Sequence, residues 1–165
     1  MDPVAESTSG QQRTALRKLV EVFYERVWNA CDDDALFAIL APDVRFRGST
    51  EAVDRVGPEA FKMYRDAIHE KLHNYTCTIQ DVVVDETVAF ARVWFSGTHS
   101  GGPLLGVPPT QRPVRWIGAA RFALAKEGSQ IGDIWVLGDL HSLSQQLQDE
   151  AAAEEQPEEK SAPGA

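Results

Sequence analysis

The sequence predicts an α+β fold in which helices pack on one face of a curved antiparallel sheet. Three observations point there. Residues 13–72 carry mostly helical periodicity, residues 75–137 carry β-branched and aromatic runs divided by turn residues, and the two patterns do not alternate along the chain. Helices first and a meander of strands afterwards suit an antiparallel sheet better than parallel βαβ units.

Residues 13–29 place Leu16, Leu19, Val20, Phe23 and Val27 on one face of a first helix. Residues 34–40 read as a short second helix, capped by an aspartate and stopped by Pro42. A short strand is expected over 44–47. Gly57-Pro58 opens a third helix over 57–72, because proline suits the first turn and Glu59 favours its positive end. Phe61, Tyr64, Ile68 and Leu72 form its core-facing stripe.

Strands are expected over 75–84 and 88–97, divided by the polar turn Asp85-Glu86-Thr87. Two more follow over 114–125 and 130–137, with a turn at Gly128. A short helix over 143–147 closes the fold, with Ser142 and Gln145 spaced as a capping box. The long connection 98–113 contains Leu104, Leu105 and Val107, which are too apolar to lie free in water. It is expected to cover a pocket mouth or a partner chain.

At 165 residues there is room for one domain with a substantial core, assigned to residues 12–148. The net charge of −9 sits mainly at the ends: residues 149–165 contribute −5 and residues 1–11 contribute −2. Both ends, 1–11 and the acidic tail 149–165, are expected to be disordered. A nearly neutral middle with no basic stripe argues against nucleic acid as a partner. No apolar run approaches a membrane span, and the first residues lack a signal-peptide pattern. Two cysteines, Cys31 and Cys77, suggest no disulfide framework, so a cytoplasmic location is expected.

Residues 69–73 read His-Glu-Lys-Leu-His, which matches a zinc-protease pattern. On a helix whose stripe is Phe61, Tyr64, Ile68 and Leu72, His69 and His73 fall about 95° and 135° from the buried centre. A catalytic zinc needs enclosure, so the motif is read as a surface coincidence, and no metal or cofactor is expected.

Two further segments, GTHSGGPLLGVPPTQRPV (97–114) and IGDIWVLGDLHSLSQQL (131–147), resemble the SnoaL-like polyketide cyclases of the nuclear-transport-factor-2-like superfamily. The resemblance covers about residues 13–148. It implies a cone, a strongly curved sheet closed by the N-terminal helices around an apolar pocket. It also implies a homodimer paired through the outer sheet face, no metal or cofactor, and a hydrophobic oxygenated substrate such as a polyketide of secondary metabolism. Family members close a ring by intramolecular aldol condensation with one pocket aspartate as acid and base, which by the second motif is Asp139.

Strand alternation would put Ile131, Asp133, Trp135, Leu137 and Asp139 on one face, giving Asp139 a low-dielectric neighbourhood that raises its pKa towards a useful range. The alternative for Asp139 is a helix cap or an ion pair with an arginine. Trp135, Trp116, Tyr64, His99, Leu105, Arg47 and His141 complete the expected pocket. His99 could instead pin the loop, His141 face water, and Trp116 belong to the core. The sequence departs from the family pattern at Gln111, where a glycine is usual, and in the first strand, which lacks a pocket histidine or asparagine and carries Arg47. The reading is a cofactor-independent cyclase or isomerase, with a non-catalytic ligand-binding or dimerisation module as the alternative and hydrolysis third.

Overall fold

The computed structural model describes residues 3–149, with side chains from Thr8 onward. Its elements are α1 (Pro3–Val22) running into a π-helical segment (Phe23–Asn29), α2 (Asp33–Ile39), β1 (Leu40–Arg47), β2 (Arg55–Val56), α3 (Pro58–Lys71), β3 (Leu72–Asp85), β4 (Val88–His99), β5 (Pro113–Leu124), β6 (Ile131–Gly138) and α4 (Leu140–Gln148). The sheet has six strands in the order β2-β1-β6-β5-β4-β3. It is curved and unclosed, and helices fill its concave side, which is the expected α+β cone. All neighbouring strands run antiparallel except β1 and β6, which run parallel.

The first helix begins at Pro3, so residues 3–11, expected to be disordered, are helical. The helix lies along the β3–β4 hairpin: Arg13 pairs with Asp85 at 3.7 Å and Arg17 donates to the Val82 carbonyl at 3.1 Å. The tail at 150–165 lies outside the described residues. Asp32 caps α2 by accepting from the Ala35 amide at 2.9 Å, as the sequence suggested for an aspartate there.

Two irregularities decide which residues face the core. The π-helical turn is wider than an α-turn, and it brings the adjacent pairs Phe23/Tyr24 and Val27/Trp28 onto one buried face. In β6 the register with β5 shifts beside Gly132: Ile131 pairs with Leu124, yet Asp133 pairs with Ala123. A Cβ at Gly132 would lie 2.8 Å from the Ala125 Cα, so only glycine fits this bulge. Beyond it, Ile134 points inward while Trp135 and Leu137 are 39% and 55% exposed. The expected single face of Ile131, Asp133, Trp135, Leu137 and Asp139 is therefore broken.

Arg65 of α3 is buried and ties three helical segments together. It bonds Asp33 and Asp66, each at 2.7 Å, and donates to the Val27 carbonyl at 3.3 Å. Against the opposing effect of desolvation, Asp33 is held below the usual carboxylate range chiefly by the Arg65 guanidinium, and Asp66 by Lys62 and then Arg65.

Candidate functional site

A cavity lies between the concave sheet face and the helices. The π-helical segment contributes Phe23, Tyr24 and Trp28, and α3 contributes Tyr64 and Ile68. The sheet supplies Phe46, Leu72, Tyr75, Phe95, Trp116 and Val136, while Gly48, Ser49 and Thr50 form part of the rim. The aromatic rings pack edge to face and tilted, as ring quadrupoles favour. The cavity volume is about 30 Å³, room for one or two waters. Counting solvent space at the mouth, the empty volume is about 470 Å³, so the smaller figure describes the closed cavity.

Gly48 sets one wall. A Cβ there would lie 2.4 Å from Tyr64 Oη, so the missing side chain lets the Tyr64 ring rest on the end of β1. Tyr64 Oη and Thr50 Oγ1 then share a hydrogen bond of 2.8 Å. The opposite rim is the tip of the 100–112 connection. Leu104 and Val107 exchange backbone hydrogen bonds of 3.0 and 2.9 Å around Leu105-Gly106, both at positive φ, which makes a two-residue hairpin turn. Leu104, 2% exposed, faces the cavity, while Leu105 is 37% exposed and turns outward.

His99 is buried but holds the connection rather than lining the cavity. Its Nε2–H donates to the Gly102 carbonyl at 2.7 Å, and Nδ1 accepts from the Thr110 amide at 3.3 Å. The Ser100 and Gly101 amides bond the Lys71 carbonyl, each at 3.2 Å, fixing the connection to the end of α3.

Of the residues expected to form the site, Tyr64 and Trp116 line the cavity. Arg47 and Trp135 sit on the rim of an adjoining surface groove of about 390 Å³, which shares Gly48, Ser49, Thr50 and Val136 with the cavity. Arg47 points outward and pairs with Asp54 at 3.7 Å. His141 is exposed on α4.

Asp139 is exposed as well, as the N-cap of α4, where its carboxylate accepts from the Ser142 amide at 3.0 Å. Its backbone continues the ladder by donating to the Ile117 carbonyl, so the side chain turns to the helix and not to the cavity. The cap that the sequence assigned to Ser142 is thus made by Asp139. No carboxylate lines the cavity among the described residues.

Tyr24, Tyr75 and Phe95 were missed by sequence reasoning. The signal was the dense run of large side chains in Phe-Tyr-Glu-Arg-Val-Trp (23–28), which a strict 3.6-residue period divides between two faces. Burial pushes the phenols of Tyr24, Tyr64 and Tyr75 up, so near neutral pH they are hydrogen-bond donors and not phenolates. The Cys77 thiol beside Tyr75 is pushed up to about 12 by burial.

The zinc-like motif is dispersed by the fold. The third helix ends at Lys71, which leaves His69 on α3 and His73 on β3. His69 is half-buried, a correction to the surface reading: its Nε2–H donates to the Trp28 carbonyl at 2.8 Å and its ring stacks on the Trp28 indole at 6.2 Å. Among the described residues, no three His, Cys, Asp or Glu side chains stand together as metal ligands. Nor is any described helix long and apolar enough to cross a membrane.

With this geometry in place, comparison with known proteins is specific. The family model for SnoaL-like polyketide cyclases matches residues 18–147. Among solved structures, a protein of Jannaschia sp. CCS1 named as a SnoaL-like polyketide cyclase superposes with a TM-score of 0.73 at 19% identity, covering 83% of this chain and 94% of that one. TsrD from Streptomyces laurentii gives 0.70 at 25% identity over 82% and 96% of the two chains. IdmH from Streptomyces antibioticus, whose name describes a polyketide cyclase, gives 0.67 at 24% identity over 79% and 96%. A comparison with curated proteins finds no match. The cone, its aromatic cavity and a family match spanning nearly the whole described chain agree, and the protein belongs to the SnoaL-like polyketide cyclase family.

Proposed function

We propose that this protein takes a hydrophobic, oxygen-bearing small molecule of polyketide type into its aromatic cavity, which widens from its closed volume of about 30 Å³ into the adjoining groove to admit it, and promotes ring closure or isomerisation there without a cofactor. The observation that carries the reading is the cavity itself: eight aromatic side chains around an enclosed space whose mouth meets a surface groove. Confinement of a flexible chain between the rings holds two of its carbons in reacting distance, which lowers the barrier to closure, while water at the cavity mouth accepts the proton leaving carbon and returns one to oxygen. An acid–base role for Asp139 has no support from its position as an exposed helix cap. Asp139→Asn keeps the cap and is expected to leave turnover within about twofold.

A second reading, a non-catalytic binding module, is favoured by the absence of any carboxylate among the described lining residues. The first experiment is a thermal-shift screen with polycyclic phenolic and polyketide-like compounds. Ligand at 100 times its dissociation constant adds about 2.7 kcal/mol, several degrees for a domain of this size. Turnover of a hit separates the two readings, and a flat screen over varied scaffolds removes both.

The outer sheet face supports pairing with a second copy. Val83, Phe90 and Trp135 are exposed there, joined in register through Arg121 as Val83–Phe90–Arg121–Trp135. Light scattering of the protein and of Phe90→Glu tests this, and a wild-type monomer at micromolar concentration rejects it.

A further inference from the structure

Among the described residues, two buried side-chain polar atoms have no hydrogen-bond partner: the hydroxyl of Tyr24 and the indole N–H of Trp116. Both residues line the aromatic cavity and are 2% and 3% exposed. An unpaired polar group inside a folded protein is costly, and protein cores rarely keep one without a use. Their neighbours do not behave this way. Tyr64 Oη is satisfied by Thr50, and the ring nitrogens of His69 and His99, outside the cavity lining, bond carbonyls.

We infer that Tyr24 and Trp116 are the points at which the cavity hydrogen-bonds carbonyl oxygen of a neutral ligand, and that they select oxygenated molecules over plain hydrocarbons of the same shape. This rests on the reading of the cavity as the ligand site. The indole N–H donates only, and a phenol held in its protonated form donates readily, so the matching ligand group is an acceptor. Carbonyl oxygen is a strong acceptor that brings no charge. A carboxylate ligand is disfavoured, because no lysine, arginine or histidine lines the cavity among the described residues.

The backbone leaves room beside Trp116. A Cβ at Gly138 would stand 3.1 Å from both Trp116 Nε1 and Ser49 Oγ, so this glycine keeps a methyl group out of the space next to the N–H. Tyr24 is set by the π-helical turn, which places it and Phe23 on the same inward face, each ring edge-on to Phe122 at 5.9 and 5.2 Å.

The test compares 1-tetralone with tetralin, which share a ring skeleton and differ by one carbonyl oxygen. Dissociation constants are measured for the wild type, Tyr24→Phe, Trp116→Phe and Gly138→Ala, with melting temperatures alongside. Tyr24→Phe removes one oxygen atom from a site where it has no protein partner, so it is expected to fold with an unchanged or higher melting temperature. At least one of Tyr24→Phe and Trp116→Phe is expected to weaken 1-tetralone about tenfold relative to tetralin, the scale of one lost buried hydrogen bond. Gly138→Ala is expected to weaken both probes.

Tetralin and 1-tetralone binding with the same ratio in the wild type and in both donor variants would overturn the inference and leave the cavity as ligand site. That outcome would mean that water, not ligand, satisfies the two donors. If neither probe binds the wild type, the cavity reading falls and the inference with it.

Discussion

Replacing Gly48 by alanine isolates one contact on which the cavity depends. Gly48 does not occupy the left-handed backbone region, so alanine is permitted by the main chain there. At such a site glycine to alanine ordinarily stabilises by about 0.4–1 kcal/mol, because the unfolded chain loses freedom. Here the new Cβ would meet Tyr64 Oη at 2.4 Å and Cζ at 2.5 Å. Ordinary carbon contacts start near 3.5 Å, so the ring must retreat by about 1 Å. Retreat is resisted by Phe46 at 4.9 Å and Trp28 at 6.2 Å between ring centroids, and it stretches the 2.8 Å bond to Thr50.

Overpacking costs about 1–3 kcal/mol and the weakened hydrogen bond about 1. After subtracting the glycine-to-alanine gain, the net expectation is destabilisation by about 1–3.5 kcal/mol, or about 2–14 °C in melting temperature. Tyr64→Leu in the same background removes the obstructing ring end, so the double variant should lose less than the sum of the single changes. Thermal and urea denaturation of the four proteins measure this coupling. A Gly48→Ala protein that melts at or above the wild type, or strictly additive changes, would refute the argument.

Leu104→Ala deletes the side chain that closes the cavity from the loop tip, with an expected loss of about 2–3 kcal/mol, at the low end for buried leucine because a hairpin tip relaxes; the same variant should bind cavity ligands with a faster association rate by stopped-flow fluorescence. Burial lowers His69 below its ordinary 6.5, so the unfolded chain takes up that proton first as the solution is acidified. Stability that is fully present above pH 6.5 should therefore decline below it, and His69→Gln should flatten that decline in denaturation curves at pH 7.5 and 5.5. Cys31 is exposed and Cys77 is buried with its thiol pushed up to about 12, so a thiol reagent at pH 8 should modify one cysteine in the native protein and both in denaturant; rapid modification of Cys77 in the folded state would contradict its enclosure.

The order and type of the main elements were legible because each rests on local pattern. Phe61, Tyr64 and Ile68 repeat at helical spacing and are buried in α3. The β-branched runs around Asp85-Glu86-Thr87 became β3 and β4, and the loop and closing-helix motifs carry the resemblance to the family that matches residues 18–147. Tyr64 and Trp116, each in a regular stretch of its element, both line the cavity.

What the tertiary structure alone decided are the places where regularity breaks. The bulge at Gly132 depends on the close approach of the Ala125 backbone from the preceding strand, and it sends Trp135 to the outer face. The π-helical turn puts Tyr24 into the cavity, and the Leu105-Gly106 turn chooses Leu104 rather than Leu105 as the side chain that enters it. Asp139 had three uses open to it in the sequence, acid–base group, helix cap or ion-pair partner, and it became a helix cap once α4 began one residue after it. A side chain's neighbours along the chain set its period, but one inserted residue in a strand or one widened helical turn reverses the face it shows. Whether such an insertion is tolerated is settled by the packing of segments distant in sequence.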